Sequence, residues 1–137
     1  MKAVMVAVDS SEVLEHAVRM AVYLFPRAEE FYLVYLMPVN YSHFWIPNQE
    51  KRESARREIM VKIREVFSSA DISINTKFKI EIIEDDPAKE LMELSRRKNV
   101  DAMVIERWNR WKGRGSISKR TAIRTISNSG IPITVLN

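Results

Sequence analysis

The stretch "KAVMVAVD" (2–9) is an almost unbroken apolar run rich in valine. That pattern fits a β-strand covered on both faces, where polar residues have no wet side to occupy. "SSEVLEHAVRMAVYLF" follows with Val13, Leu14, Ala17, Val18, Ala21 and Val22 at helical spacing. Asp9 or one of the serines is expected at its cap, and Asp9 to Glu12 has capping-box spacing. "EFYLVYLMPV" (30–39) reads as a second buried strand, and "NYSHFWIPNQ" (40–49) as an irregular stretch with a proline and three aromatics. Residues 49–69 predict a long helix. Its apolar stripe is Ala55, Ile59, Met60, Ile63, Val66 and Phe67, with charged residues between. In "NTKFKIEIIE" (75–84) Phe78, Ile80 and Ile82 alternate with Lys77, Lys79 and Glu81, the signature of a strand with one wet side. "DDPAKELMELSRRKN" predicts a helix with an aspartate cap, Pro87 at its first position and basic residues at its end. "DAMVIE" (101–106) reads as a short buried strand. A helix near 118–128 and a last strand, "IPITVLN", complete the pattern.

Strands and helices therefore alternate from end to end as one domain over 1–137. Alternation of this kind produces a parallel sheet with helices on both faces, joined by right-handed crossovers. The most apolar strands, first and fourth, belong at the centre, and the alternating third at an edge. The expected class is α/β, a flavodoxin-like or Rossmann-like three-layer sandwich with a five-stranded parallel sheet of order 3-2-1-4-5. A ligand crevice is then expected above the carboxyl ends of strands 1 and 4, where strand order reverses. Asp9 and the residues after Glu106 fall at that crevice. The last strand is apolar, β-branched and lies at an edge without protective charge. A two-fold dimer with Ile133, Val135 and Leu136 near the interface is expected from this.

Composition narrows the chemistry. There are no cysteines and only two histidines, His16 and His43, so thiolate chemistry is excluded and a metal site is not expected. No apolar run has transmembrane length, and the first apolar stretch meets Asp9 too soon for a signal peptide. The chain reads as soluble and cytoplasmic. Its net charge of +4 is unevenly spread. Seven basic residues and a single acid lie between Glu106 and Arg124, so the remainder is acidic on balance. An anionic partner is to be sought in "IERWNRWKGRGSISKR" (105–120). This segment holds two of the three glycines, Gly113 and Gly115, but not the Gly, four residues, Gly-Lys-Ser/Thr order of a Walker loop.

"VAVDSSE" after the first strand, "DDPAKELMELSRRKNVDAMVIE" before the basic segment and "SGIPITVLN" at the end together resemble the universal stress protein family, over essentially the whole chain. The resemblance implies the same flavodoxin-like fold and a homodimer made through the last strands. It also implies ATP binding through Gly, two residues, Gly, nine residues, Gly and then Ser or Thr after the fourth strand. Here Glu106, Asn109 and Lys119 stand at the three glycine positions and Arg120 at the hydroxyl position. Asp85 replaces a glycine usual before the third helix. The family's glycines let backbone amides approach phosphates with no side chain between. Glu106 would set a carboxylate where the triphosphate lies. Asp9, Ser10, Ser11 and Leu36 fit the family's base- and ribose-contacting positions, and Lys119 and Arg120 could meet a smaller anion.

The leading expectation is a homodimeric regulatory or binding module, not an enzyme, without ordinary ATP binding and without a required cofactor. An ATP- or AMP-binding member with altered phosphate contacts is the first alternative. A second alternative is a nucleic-acid-associated module. Arg107, Trp108, Arg110, Trp111, Lys112 and Arg114 would then offer stacking surfaces among cations. Ser10, His43 and Asp9 could in principle form a nucleophilic set, but no spacing demands it.

Overall fold

The computed structural model describes residues 2–8, 13–36, 49–69, 78–83, 87–106 and 130–136. Five strands form one parallel sheet: β1 (Ala3–Val8), β2 (Glu30–Leu36), β3 (Phe78–Ile83), β4 (Ala102–Glu106) and β5 (Ile133–Leu136). Their order is β3-β2-β1-β4-β5, as the apolar pattern predicts. β1 is central, with Val4 opposite both Phe31 of β2 and Ala102 of β4, and all six of its residues are buried. Three helices occur among the described residues: α1 (Leu14–Leu24), α2 (Gln49–Ser69) and α3 (Pro87–Arg97). The helix expected near 118–128 lies outside them.

Alternate strand residues divide the core into two layers. Val4, Val6, Val8, Phe31, Leu33, Ala102 and Val104 pack with Leu14, Ala17, Val18 and Ala21 of α1 and Ile63 of α2. Ala3, Met5, Ala7, Tyr32, Val34, Leu36, Met103 and Ile105 face the other way, against Leu91 and Leu94 of α3. Each fully buried aliphatic contributes about 1.5–3 kcal/mol relative to exposure. The α2 stripe behaves as its spacing implies, with Ile63 buried and Ile59, Met60, Val66 and Phe67 partly buried beside it. Phe78 of β3 stacks on Phe31, ring centroids 4.8 Å apart, and meets Phe67 of α2 at 5.3 Å. These contacts seat the edge strand under α2.

The wet face of β3 is organised around one tyrosine. The Tyr32 hydroxyl donates to Glu30 Oε1 at 2.8 Å, and Lys79 pairs with Glu30 Oε2 at 3.3 Å. The ammoniums of Lys79 and Lys98 stand 5.7 and 5.5 Å from the Tyr32 ring centroid. Burial raises the Tyr32 phenol above its ordinary value, and the tyrosine hydrogen bond lowers the Glu30 carboxyl below its own.

Two helix ends show what local sequence does and does not decide. α1 begins at Leu14 with Val13 in the cap position, and Val13 supplies no side-chain hydrogen bond. The expected cap at Asp9 or a serine is thereby corrected: the helix starts where its buried stripe starts, and packing outweighs the capping-box signal. α3 begins at Pro87 as predicted and carries Arg96 and Arg97 in its last turn. It ends through Asn99, whose φ of 51° lies in the left-handed region. The Asn99 amide donates to Arg96 O at 3.3 Å and the Val100 amide to Ser95 O at 3.0 Å. This is a Schellman ending with asparagine where glycine is commonest, and Val100 drops into the core beside Leu94.

Candidate functional site

β4 is flanked by a carboxylate at each end, and the two are held in different ways. Asp101, immediately before the strand, is exposed. Its Oδ2 accepts the backbone amides of Lys2 at 2.8 Å and Ala3 at 3.0 Å, while its own amide donates to Ala3 O at 2.9 Å. The amides of Ala3 and Lys2 hold the Asp101 carboxyl below the usual aspartate range. This clasp joins β1 to β4 at their amino ends.

Glu106, the last residue of β4, lies at the carboxyl end of the strand, beside β1, where the strand order places the expected crevice. It is 4% exposed and, with Ser95, is one of the buried polar residues among those described. Ser95 needs no further partner, because its hydroxyl donates to Met92 O at 2.8 Å within α3. Glu106 reaches instead to another element. Its Oε2 lies 3.1 Å from Nδ1 of His16, in the first turn of α1, whose side chain is about half exposed at 53%. With Glu106 ionised, Nδ1 carries the hydrogen, so His16 is either the Nδ1–H tautomer or the imidazolium. The amino end of α1 adds a favourable dipole for a carboxylate at this place. A buried acid is therefore tied to an imidazole that water can reach.

Other candidate residues fall elsewhere. Leu36 ends β2 but is 1% exposed and packs in the α3-side layer, away from the α1 side where Glu106 meets His16. Asp9, Ser10, Ser11 and His43 lie outside the described residues. So do Arg107, Trp108, Arg110, Trp111, Lys112 and Arg114 of the basic segment, and Lys119 and Arg120 after them. No group of three or more potential metal-binding side chains occurs among the described residues. No helix among them is long and apolar enough to cross a membrane. β5 lies at the sheet edge, entered through Gly130 at φ 83° and tied to β4 by the Met103 amide donating to Pro132 O at 3.0 Å. Val135 is 37% exposed there, Ile133 is partly buried against the α3-side layer, and Leu136 is buried in the α1-side layer.

The His16–Glu106 pair is the feature that sequence reasoning missed. Glu106 stood out as a departure from a glycine pattern and His16 only as one of two histidines, and the two are 90 positions apart. The available signal was topological: in the 3-2-1-4-5 order the helix after strand 1 begins beside the end of strand 4.

The model of the universal stress protein family matches residues 1–137. No curated protein is significantly similar to the chain. Among solved structures, a universal stress protein from Lactobacillus plantarum aligns with a TM-score of 0.62 at 17% identity, covering 99% of this chain and 97% of that one. A member of the family from Burkholderia pseudomallei gives 0.61 at 18% identity, covering 98% and 94%. The universal stress protein from Archaeoglobus fulgidus in complex with dAMP gives 0.58 at 14% identity, covering 100% and 98%. At these identities the likeness establishes the fold.

Proposed function

Because the chain belongs to the universal stress protein family, we propose that it serves as a regulatory binding module of the cytoplasm, homodimeric through β5 and not an enzyme, whose crevice rejects ordinary ATP binding. One observation carries this reading: the buried Glu106 carboxylate at the crevice end of β4, held by His16 at 3.1 Å. A triphosphate brought against a carboxylate shielded from water meets repulsion that solvent screens only weakly. The side chain also occupies the place where backbone amides would otherwise approach phosphate closely.

A second reading is favoured by the dAMP complex of the Archaeoglobus relative. A nucleoside monophosphate brings less negative charge, and it could bind with its phosphate turned away from Glu106. Titration calorimetry of wild type, Glu106→Gln and Glu106→Gly with ATP and AMP separates the readings. The leading one expects no micromolar ATP binding by wild type and a gain of ATP affinity in Glu106→Gly. Micromolar ATP binding by wild type overturns it. AMP binding by wild type without ATP binding selects the second. Light scattering that finds a monomer at all concentrations removes the homodimer.

A further inference from the structure

The edge of the sheet opposite β5 carries a feature unconnected with the crevice. α2 passes over β3 and leaves between them a groove of about 520 Å³. Arg56, Arg57 and Arg64 of α2 line it together with Met60 and Val61, and Ile80, Glu81 and Ile82 of β3 form the other wall. Three properties of the groove converge on one kind of occupant.

The first is the backbone. β3 pairs with β2 along its whole length and, among the described residues, has no other strand beside it. Arg56 Nη2 donates to the Ile82 carbonyl at 3.2 Å, which shows that this carbonyl faces outward, away from β2. The two-residue period of a strand turns the backbone groups of Ile80 to the same side. An arginine side chain thus occupies a position that a neighbouring strand's amide would take. The second property is charge. Among the described residues Glu81 is the one acid lining the groove, and no carboxylate among them forms an ion pair with Arg57 or Arg64. The adjoining hollow shares Arg57 and Val61 and adds Lys62 with the acids Glu58 and Glu65, so the cationic character is strongest toward Arg64. The third property is apolar surface: Val61 is 52% exposed within the groove.

We infer that the α2–β3 groove docks an extended, acidic segment of a partner protein. The segment adds a strand to the β3 edge, sets carboxylates against Arg57 and Arg64 and covers Val61 with an apolar side chain. Main-chain bonds to the β3 edge, with the Arg56 guanidinium displaced from the Ile82 carbonyl, supply affinity, and the alternate side chains supply selectivity. The outward backbone and apolar wall favour a peptide over a nucleic acid, which would use the arginines and leave both unused.

The test uses the full chain and a fluorescently labelled peptide alternating glutamate with valine, followed by anisotropy and by amide hydrogen exchange. The expected result is saturable binding, slowed exchange at Ile80 and Ile82, and a loss of about tenfold or more in the double variant Arg57→Glu, Arg64→Glu. Val61→Lys, which leaves both arginines in place, is expected to weaken binding as well. Circular dichroism confirms that the surface variants fold. Absent binding, equal binding by the double variant or unchanged exchange in β3 overturns the proposal. Equal or tighter binding of single-stranded DNA at the same arginines overturns it too.

Discussion

Asp101 and Glu106 stand at the two ends of β4, one just before the strand and one as its last residue, yet only one resembles a working part. Asp101 lies in water, and two backbone amides satisfy its carboxylate with no help from another side chain. Backbone donors are always present and do not titrate, so the clasp at the amino end is unconditional through the physiological range. Glu106 lies out of water and depends on the side chain of another element, the His16 imidazole 3.1 Å away. An acid placed this way costs stability unless it is paired. A carboxylate is thus held by main-chain amides at one end and by a side chain at the other, and burial together with partner type makes the difference.

The comparison can be broken at the strand that both acids share. Ile105→Ala removes a side chain buried in the α3-side layer and is expected to cost about 2–5 kcal/mol in urea unfolding. A loss well below that would mean that the end contacts, not the packing, hold β4 in place. Next in size is His16→Ala, which leaves Glu106 without its imidazole and is expected to cost about 1–3 kcal/mol. Adding Glu106→Gln should recover part of that loss, and a double-mutant cycle with no coupling would show that the pair is incidental. The smallest effect is expected for Asp101→Asn, read as a change in Tm with pH. The Asp101 carboxyl is lowered in the folded state, so its contribution is full above the ordinary aspartate range. It fades as pH falls through the lowered value. The difference between wild type and variant should therefore be greatest near neutrality and close in acid, and a difference that widened in acid would contradict the clasp.

Much of the fold was legible because burial on two faces leaves a strong mark. β1, β2 and β4 read as continuous apolar runs, and β3 betrayed its edge position by alternating Phe78, Ile80 and Ile82 with polar residues. Order 3-2-1-4-5 followed from ranking the strands by apolarity. Helix ends were less legible. The Asp9–Glu12 pattern suggested a start that α1 does not use, and Asn99 closes α3 through a backbone conformation that the "RRKN" string only permits. The candidate site was legible in one half. Glu106 was visible as a carboxylate where the resemblance expects a glycine, but its partner was not, because His16 meets it only once α1 is laid beside the end of β4. The α2 arginines looked like a solvated helix face. Their pairing with an open strand edge exists only in three dimensions.

The clasp at Asp101 has a consequence for how the chain reaches its native state. Its acceptor and donor are separated by 99 positions for Lys2 and 98 for Ala3. β1 can pair early with β2, but its other side waits for β4, which is synthesised after α2, β3 and α3. At ribosomal rates of about 5–20 residues per second, the most apolar strand of the protein spends several seconds with one edge open. Sequence separation of this kind slows the final closure of a parallel sheet. The centre of the finished sheet is thus the last vulnerable edge of the nascent one.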